Sequence, residues 1–145
     1  MRAIKTPLRV SEQGFTLLEI MVVVVIIGLL VAAVAPQFMG QIDKAAVSRA
    51  RQDIRQIETS LNLYRLDNFR YPSTSEGLEA LVTNPGETAA PNWKQVLKGI
   101  PMDPWDQPYH YASPGQHGDF DVFTYGADRQ EGGEGVNADI GNWDL

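Results

Sequence analysis

The stretch GFTLLEIMVVVVIIGLLVAAVAP, from Gly14 to Pro36, decides the architecture of this chain. Between Phe15 and Ala35 it contains a single charged residue, Glu19. At about 1.5 Å per residue, a helix of this length reaches across a bilayer core of about 30 Å. We therefore expect an apolar helix over 15–35 that spans a membrane or packs inside an assembly.

The charge of the flanking sequence predicts how this helix is oriented. The first fourteen residues carry three basic side chains against one acidic one, a charge of +2 out of a total of -6, which leaves -8 for the remainder. Basic residues before an apolar helix stay in the cytoplasm, so the C-terminal part is expected outside it. An acidic chain lacks the basic patch that nucleic acid requires. The absence of cysteine excludes disulfides and thiolate metal sites, and leaves a metal bound by oxygen atoms as the expected cross-link.

Glu19 is the unusual residue of the apolar stretch. A carboxylate in such a helix costs about 2–3 kcal/mol in lipid and is seldom kept without a partner. One interpretation is an ordinary secretory signal cut at the small residues 32–35. The other is a cut between Gly14 and Phe15, because the new α-amino group of Phe15 on a neighbouring subunit would neutralise Glu19.

This N-terminal stretch resembles the class III signal sequence of type IV pilins and pseudopilins. The resemblance implies that a prepilin peptidase removes the leader 1–14 and N-methylates Phe15. It also implies that Glu19 attracts the N-terminus of an incoming subunit, and that Pro36 ends the membrane-embedded part. Proline removes a helix hydrogen bond in any case, so we expect the helix to kink or loosen there.

An amphipathic pattern predicts that the helix continues over 36–68 and opens a domain that covers 36–145. Apolar residues recur mostly at steps of three or four, with charged residues between them. We expect 47–64 to pack on a core and to form no site, and the arginines among them to face solvent. The apolar positions are Phe38, Ile42, Val47, Ala50, Ile54, Ile57, Leu61 and Tyr64.

Residues 69–145 are expected to form a small α+β part. Ser73 and Glu76 stand three apart before an apolar run, the spacing of a capping box, and predict a short helix. Short apolar runs at 109–111 and 120–125, joined by a turn sequence, predict a small antiparallel sheet.

Three segments of this half, LDNFRYPSTSEGLEALV, LKGIPMDPWDQPYHYASPGQHGDFDVFTYGAD and DIGNWDL, resemble the major pseudopilins of type II secretion systems. The resemblance implies a type IV pilin-like fold, in which a long helix packs on an antiparallel sheet with a C-terminal metal-binding loop. It implies a structural subunit that polymerises through its N-terminal helix into a periplasmic filament and drives export of folded proteins. The implied partners are further copies of the chain, minor pseudopilins, an inner-membrane assembly platform and an outer-membrane secretin. The implied location is the bacterial inner membrane, with the domain in the periplasm.

The C-terminal loop is acidic and rich in glycine. Asp128 and Asp139 flank 129–138, and oxygen ligands of this kind suit Ca²⁺. The spacing is not that of an EF-hand, and a solvated acidic loop is the alternative. The resemblance implies that Asp128 and Asp139 hold calcium. Because they lie close by in the sequence, Asn137 and nearby backbone carbonyls are further candidate ligands.

Other classes of function are less well supported by the sequence. No nucleophile, zinc or phosphate motif is present, so an enzyme is not expected. His110 is expected in the sheet and His117 in a turn, with Asp119 and Asp121 on the exposed face of a strand. A type IV pilus major pilin, for adhesion or motility, is the main alternative, but it usually carries a disulfide that this chain cannot form. A membrane-anchored binding module or enzyme would keep its leader and have no use for Glu19.

Overall fold

A long helix of 52 residues, α1, runs over Leu17–Asn68. The computed structural model describes residues 14–145, and for 35–39 it describes the backbone alone. The predictions for the leader 1–14 therefore lie almost wholly outside the described residues. The chain divides into two compact units, Met1–Met39 and Gly40–Leu145.

The helical part of the first unit is apolar on every side. Over Leu17–Val34 its mean hydropathy is 3.1, and none of this segment is buried. By length and composition it is one helix that could cross a membrane. Pro36 lies within α1, so the helical hydrogen-bonding pattern continues past it.

Within the second unit, the rest of the chain packs on one face of the C-terminal part of α1, as the spacing of apolar residues predicts. Ala50, Ile54, Ile57 and Leu61 are fully buried, and Tyr64 is almost so. Steps of three and four residues place them on a single side of the helix. Their partners in the core are Leu78, Ala80, Leu81, Ala90, Tyr109, Phe120, Val122 and Ile140.

The first two positions of the apolar pattern, Phe38 and Ile42, precede this buried face in the sequence. Ile42, which precedes the stretch 47–64 expected to pack on a core, is 66% exposed. The reason is that every side chain over 40–45 is exposed, since the globular part does not cover this end of the helix. Phe38 lies among the residues whose side chains are not described.

The capping pair Ser73 and Glu76 is present, but the helix after it is shorter than expected. The hydroxyl of Ser73 accepts a hydrogen bond from Glu76 N at 3.3 Å, and the Glu76 carboxylate accepts one from Ser73 N at 2.6 Å. Gly77 then adopts a φ of 62°, which interrupts the helix. A single 3-10 turn, Leu78–Leu81, follows.

The sheet has three antiparallel strands, β1 (His110–Ala112), β2 (Asp121–Thr124) and β3 (Ile140–Gly141), in the order β1-β2-β3. His110 pairs with Phe123, and Phe123 pairs with Gly141. The two strands expected from the sequence are confirmed, and β3 is an addition. A strand of two residues is too short to carry a periodic pattern.

Asp103 fastens the proline-rich segment before β1 to the sheet. Its side chain is buried, and one carboxylate oxygen accepts hydrogen bonds from Trp105 N at 2.9 Å and Gln107 N at 2.8 Å. The other oxygen accepts a hydrogen bond from the Thr124 hydroxyl in β2. A buried carboxylate with three donors is satisfied, so its role is structural.

Candidate assembly and metal sites

The start of α1 is capped by Thr16. Its hydroxyl accepts a hydrogen bond from Glu19 N at 3.2 Å, and its carbonyl accepts one from Ile20 N at 3.2 Å. Thr16 and Glu19 thus have the three-residue spacing of a capping box. The spacing of Thr16 and Glu19 is visible in the sequence and is a signal that could have identified this cap.

Glu19 lies in the first turn of α1, where a negative charge is favoured by the partial positive charge of the helix N-terminus. It is exposed, and none of the ion pairs found over residues 14–145 includes it. Its only charge compensation within this part of the chain is therefore the helix end. Gly14 and Phe15 precede the helix, and Phe15 is 79% exposed, so the bond between them is accessible.

The C-terminal loop closes on itself through backbone contacts. Ala127 N donates a hydrogen bond to the carbonyl of Val136 at 3.0 Å. Gly126 has a φ of 72°, and a Cβ there would lie 2.8 Å from that same carbonyl oxygen. Only glycine permits this approach, which gathers the carbonyls of residues 136–138 beside Gly126.

The two candidate carboxylates lie at either end of this loop and are held by backbone donors. Asp128 Oδ1 accepts a hydrogen bond from Gln130 N at 3.1 Å, and Asp139 Oδ2 accepts one from Gly132 N at 3.0 Å. Asp139 Oδ1 is buried and has no hydrogen-bond partner. A buried carboxylate oxygen without a donor is costly unless a cation meets it.

These residues fit an oxygen-seeking cation such as Ca²⁺, which takes carboxylate and carbonyl ligands together. Within the described residues, no three acidic, histidine or cysteine side chains lie close enough together to hold a metal ion. Backbone carbonyls of the loop must then supply most of any ligand set. Asn137 lies in the 3-10 turn Gly135–Asn137 of the same loop.

Asp121 departs from its sequence prediction, whereas His117 lies in a turn as expected. Asp121 is 4% exposed, so its assignment to an exposed strand face is wrong. Its carboxylate accepts hydrogen bonds from Gln116 N at 2.7 Å and His117 N at 3.2 Å, and lies 3.1 Å from His117 Nδ1. It therefore organises the turn between β1 and β2. His117 also stacks on Trp143, with ring centroids 3.9 Å apart.

Two protein-family models match this chain, and together they cover both the apolar helix and the globular unit. Residues 9–35 match the prokaryotic N-terminal methylation motif, and residues 37–143 match the family described as type II secretion system protein G. A methylation motif on a membrane-length helix, joined to a small α+β unit, defines the class of pilin-like filament subunits.

Relatives of high identity narrow this class. The chain is 53% identical to the type II secretion system core protein G of Pseudomonas aeruginosa over 139 residues, which cover 94% of this chain and 98% of that protein. It is 52% identical to the core protein G of Vibrio cholerae over 137 residues, covering 93% and 94%. The chain belongs to the protein G family of the type II secretion system.

A solved structure supports the fold directly. The crystal structure of the major pseudopilin from the type 2 secretion system of enterohaemorrhagic Escherichia coli matches with a TM-score of 0.64 and 40% identity. The match covers 74% of this chain and 94% of that one. The predicted fold class, the family and a structural role in type II secretion are thereby confirmed, in preference to the type IV pilus alternative. The processing, assembly and metal residues stay predictions.

Proposed function

We propose that this chain is cut between Gly14 and Phe15, methylated on Phe15, and polymerised through the apolar part of α1 into a periplasmic filament. The observation that carries the proposal is the uncovered apolar segment Leu17–Val34, none of which is buried within the chain. Such a surface needs lipid or other copies of itself. Before assembly the segment anchors the chain in the inner membrane, with Gly40–Leu145 in the periplasm.

Glu19 is the residue that couples processing to assembly. It has no cationic partner in the ion pairs found within residues 14–145, and processing creates a new positive charge, the amino group of Phe15, which a neighbouring copy can present to it. A carboxylate that enters an apolar helix bundle needs such a partner. The subunit catalyses nothing itself. Minor pseudopilins, the assembly platform, the secretin and the prepilin peptidase are its proposed partners.

Two experiments test this function. Intact mass and N-terminal analysis of membrane-extracted protein should show a chain that starts at methylated Phe15 only in cells that contain the peptidase. Glu19→Ala should abolish sedimentable filaments, whereas Glu79→Ala, which removes an exposed carboxylate of the globular unit, should not. A chain that starts at Met1, or filaments that persist in Glu19→Ala, would overturn the proposal.

Calcium is the proposed cross-link of the C-terminal loop, held by Asp128 and Asp139 with Asn137 and backbone carbonyls. The buried, unpartnered Asp139 Oδ1 supports it. When bound, the cation would join the two ends of the loop in a chain that has no disulfide. Calcium should raise the melting temperature of the wild type, and Asp139→Asn should remove that rise. An equal rise in Asp139→Asn would contradict the assignment.

A further inference from the structure

The end of α1 presents an apolar surface away from the core. Leu63, Leu66 and Phe69 are 48%, 74% and 86% exposed. They follow each other at steps of three residues, so they lie along one side of the helix end. We call these three residues the outer stripe. Asn62, Arg65, Leu66 and Phe69 line a shallow depression of about 510 Å³ on the same surface.

Phe69 is an unusual residue for its place in this stripe. It follows the last residue of α1 with a φ of 59°, in the left-handed region where glycine is usual at a helix end. An aromatic residue in this region is strained, and burial within the chain does not compensate for it here, since Phe69 is 86% exposed. A contact outside the chain would account for an exposed phenylalanine in a strained position.

A second uncovered surface lies at the other end of the same helix segment. All side chains over 40–45 are exposed, and Ile42 is the large apolar one among them, at 66%. We call 40–45 the stem overhang. A helix segment on which nothing packs gains little stability by itself, because most helical stability in proteins comes from packing.

The two surfaces are separated by a defined distance along α1. Leu66 follows Ile42 by 24 residues, about 36 Å at the helical rise. Copies that enter the membrane with their basic leaders on the same side lie parallel. In parallel copies the outer stripe of one meets the overhang of another only if they are staggered by about this distance.

The charges beside the two surfaces agree with the same stagger. Asp43 lies next to Ile42 and Arg65 next to Leu66, a separation of 22 residues or about 33 Å. Asp43 takes part in none of the ion pairs found within the described residues. Within the described residues Arg65 forms an ion pair only with Asp119, and both side chains are more than half exposed, so that ion pair is weak. Arg65 also donates a hydrogen bond to the Tyr71 hydroxyl at 3.2 Å and lies over the Tyr71 ring.

We propose that the outer stripe of one copy packs on the stem overhang of a second, parallel copy staggered by about 33–36 Å, with Arg65 of the first against Asp43 of the second. The inference rests on the proposed filament and adds a contact in the periplasmic part of the helix. Because the two surfaces differ, the contact is heterologous, and the stagger along the helix axis prevents it from closing into a ring. It therefore suits an open filament.

Disulfide cross-linking tests the register. The chain has no cysteine, so introduced pairs report without background. Ile42→Cys with Leu66→Cys in one full-length chain should give a ladder of cross-linked multimers when assembled filaments are oxidised. Ile42→Cys with Lys98→Cys, which uses an exposed residue outside α1, should give none. Absence of the ladder from filaments, or cross-linked dimers from Ile42→Cys alone, would overturn the proposed stagger.

Phe69→Gly separates assembly from folding. Glycine relieves the strained φ, so the melting temperature of the globular unit should hold or rise. The fraction of protein in sedimentable filaments should nevertheless fall roughly tenfold, because a buried phenylalanine is lost at each contact. Met102→Ala, at another exposed apolar residue, is the control.

The charge pair gives an independent check. Asp43→Arg and Arg65→Asp should each reduce assembly, and the double variant should recover it. If the wild type forms filaments, Phe69→Gly assembles equally well and the double charge variant does not recover assembly, then this contact alone is refuted. If the wild type forms no filaments, the proposed function fails as well.

Discussion

Replacement of Glu76 by glutamine should remove a pH-dependent part of the stability of the globular unit. The Glu76 carboxylate accepts hydrogen bonds from Arg70 Nη2 at 2.6 Å and Arg70 Nη1 at 2.7 Å. Ser73 adds a backbone and a hydroxyl donor, at 2.6 and 2.9 Å. Arg70 also donates to the carbonyl of Ala89, at 2.9 Å from Nε and 2.8 Å from Nη2. Glu76 therefore ties the end of α1 to the loop that follows the 3-10 turn.

These contacts lower the pKa of Glu76 from 4.5 to about 2. The hydrogen bonds from Arg70 make the largest contribution, and burial opposes the shift. Each pKa unit corresponds to about 1.4 kcal/mol, and the partial exposure of Arg70 reduces the total to about 2–3 kcal/mol. Because the folded pKa is the lower one, this stability is complete above about pH 4.5 and is lost as the pH falls towards 2.

Urea unfolding of the full-length chain in detergent, followed by tryptophan fluorescence, measures this contribution. Trp93, Trp105 and Trp143 all lie in the unit Gly40–Leu145, so the fluorescence signal does not depend on the apolar segment Leu17–Val34. Glu76→Gln should be about 2–3 kcal/mol less stable than wild type at pH 7, and the difference should vanish near pH 2. Glu79→Gln, at an exposed carboxylate, is the control. A difference that stays constant with pH would refute the reasoning.

Three further substitutions test other contacts. Asp103→Ala should cost about 3 kcal/mol or more in urea unfolding, because it leaves two backbone donors and a hydroxyl unpaired in the interior; a cost below 1 kcal/mol would contradict this. Gly126→Ala should lower the melting temperature, since a Cβ would lie 2.8 Å from the Val136 carbonyl oxygen; an unchanged value would show that the loop adapts. Thr16→Val should weaken the first turn of α1 by about 1 kcal/mol, measured by faster amide exchange at Glu19.

The parts of the fold that follow a long periodic pattern could be predicted from the sequence. The face from Ala50 to Tyr64 is buried as expected, because the 3.6-residue repeat reports which side of a helix is covered. The same repeat included Ile42, which is exposed, since a pattern shows that a side is apolar but not whether the same chain covers it.

Contacts made by single residues across the fold could not be read in the same way. Asp121 belongs to a strand, yet it is buried because the backbone of residues 116 and 117 turns back to donate to it. The resemblance implies that Asp128 and Asp139 bind a metal, and only the structure shows that Asp139 carries a buried oxygen without a donor. Such features depend on how a loop closes, which local sequence does not specify.

The small size of the sheet limits aggregation through its edge strands. Its outer strands, β1 and β3, contain three and two residues, and the Trp143 ring covers Gly141 so closely that a Cβ there would lie 2.4 Å from it. Short edges offer few free backbone groups to another chain, so they are poor templates for amyloid-like strand addition. Association of copies through the sheet is therefore disfavoured relative to association through the uncovered apolar part of α1.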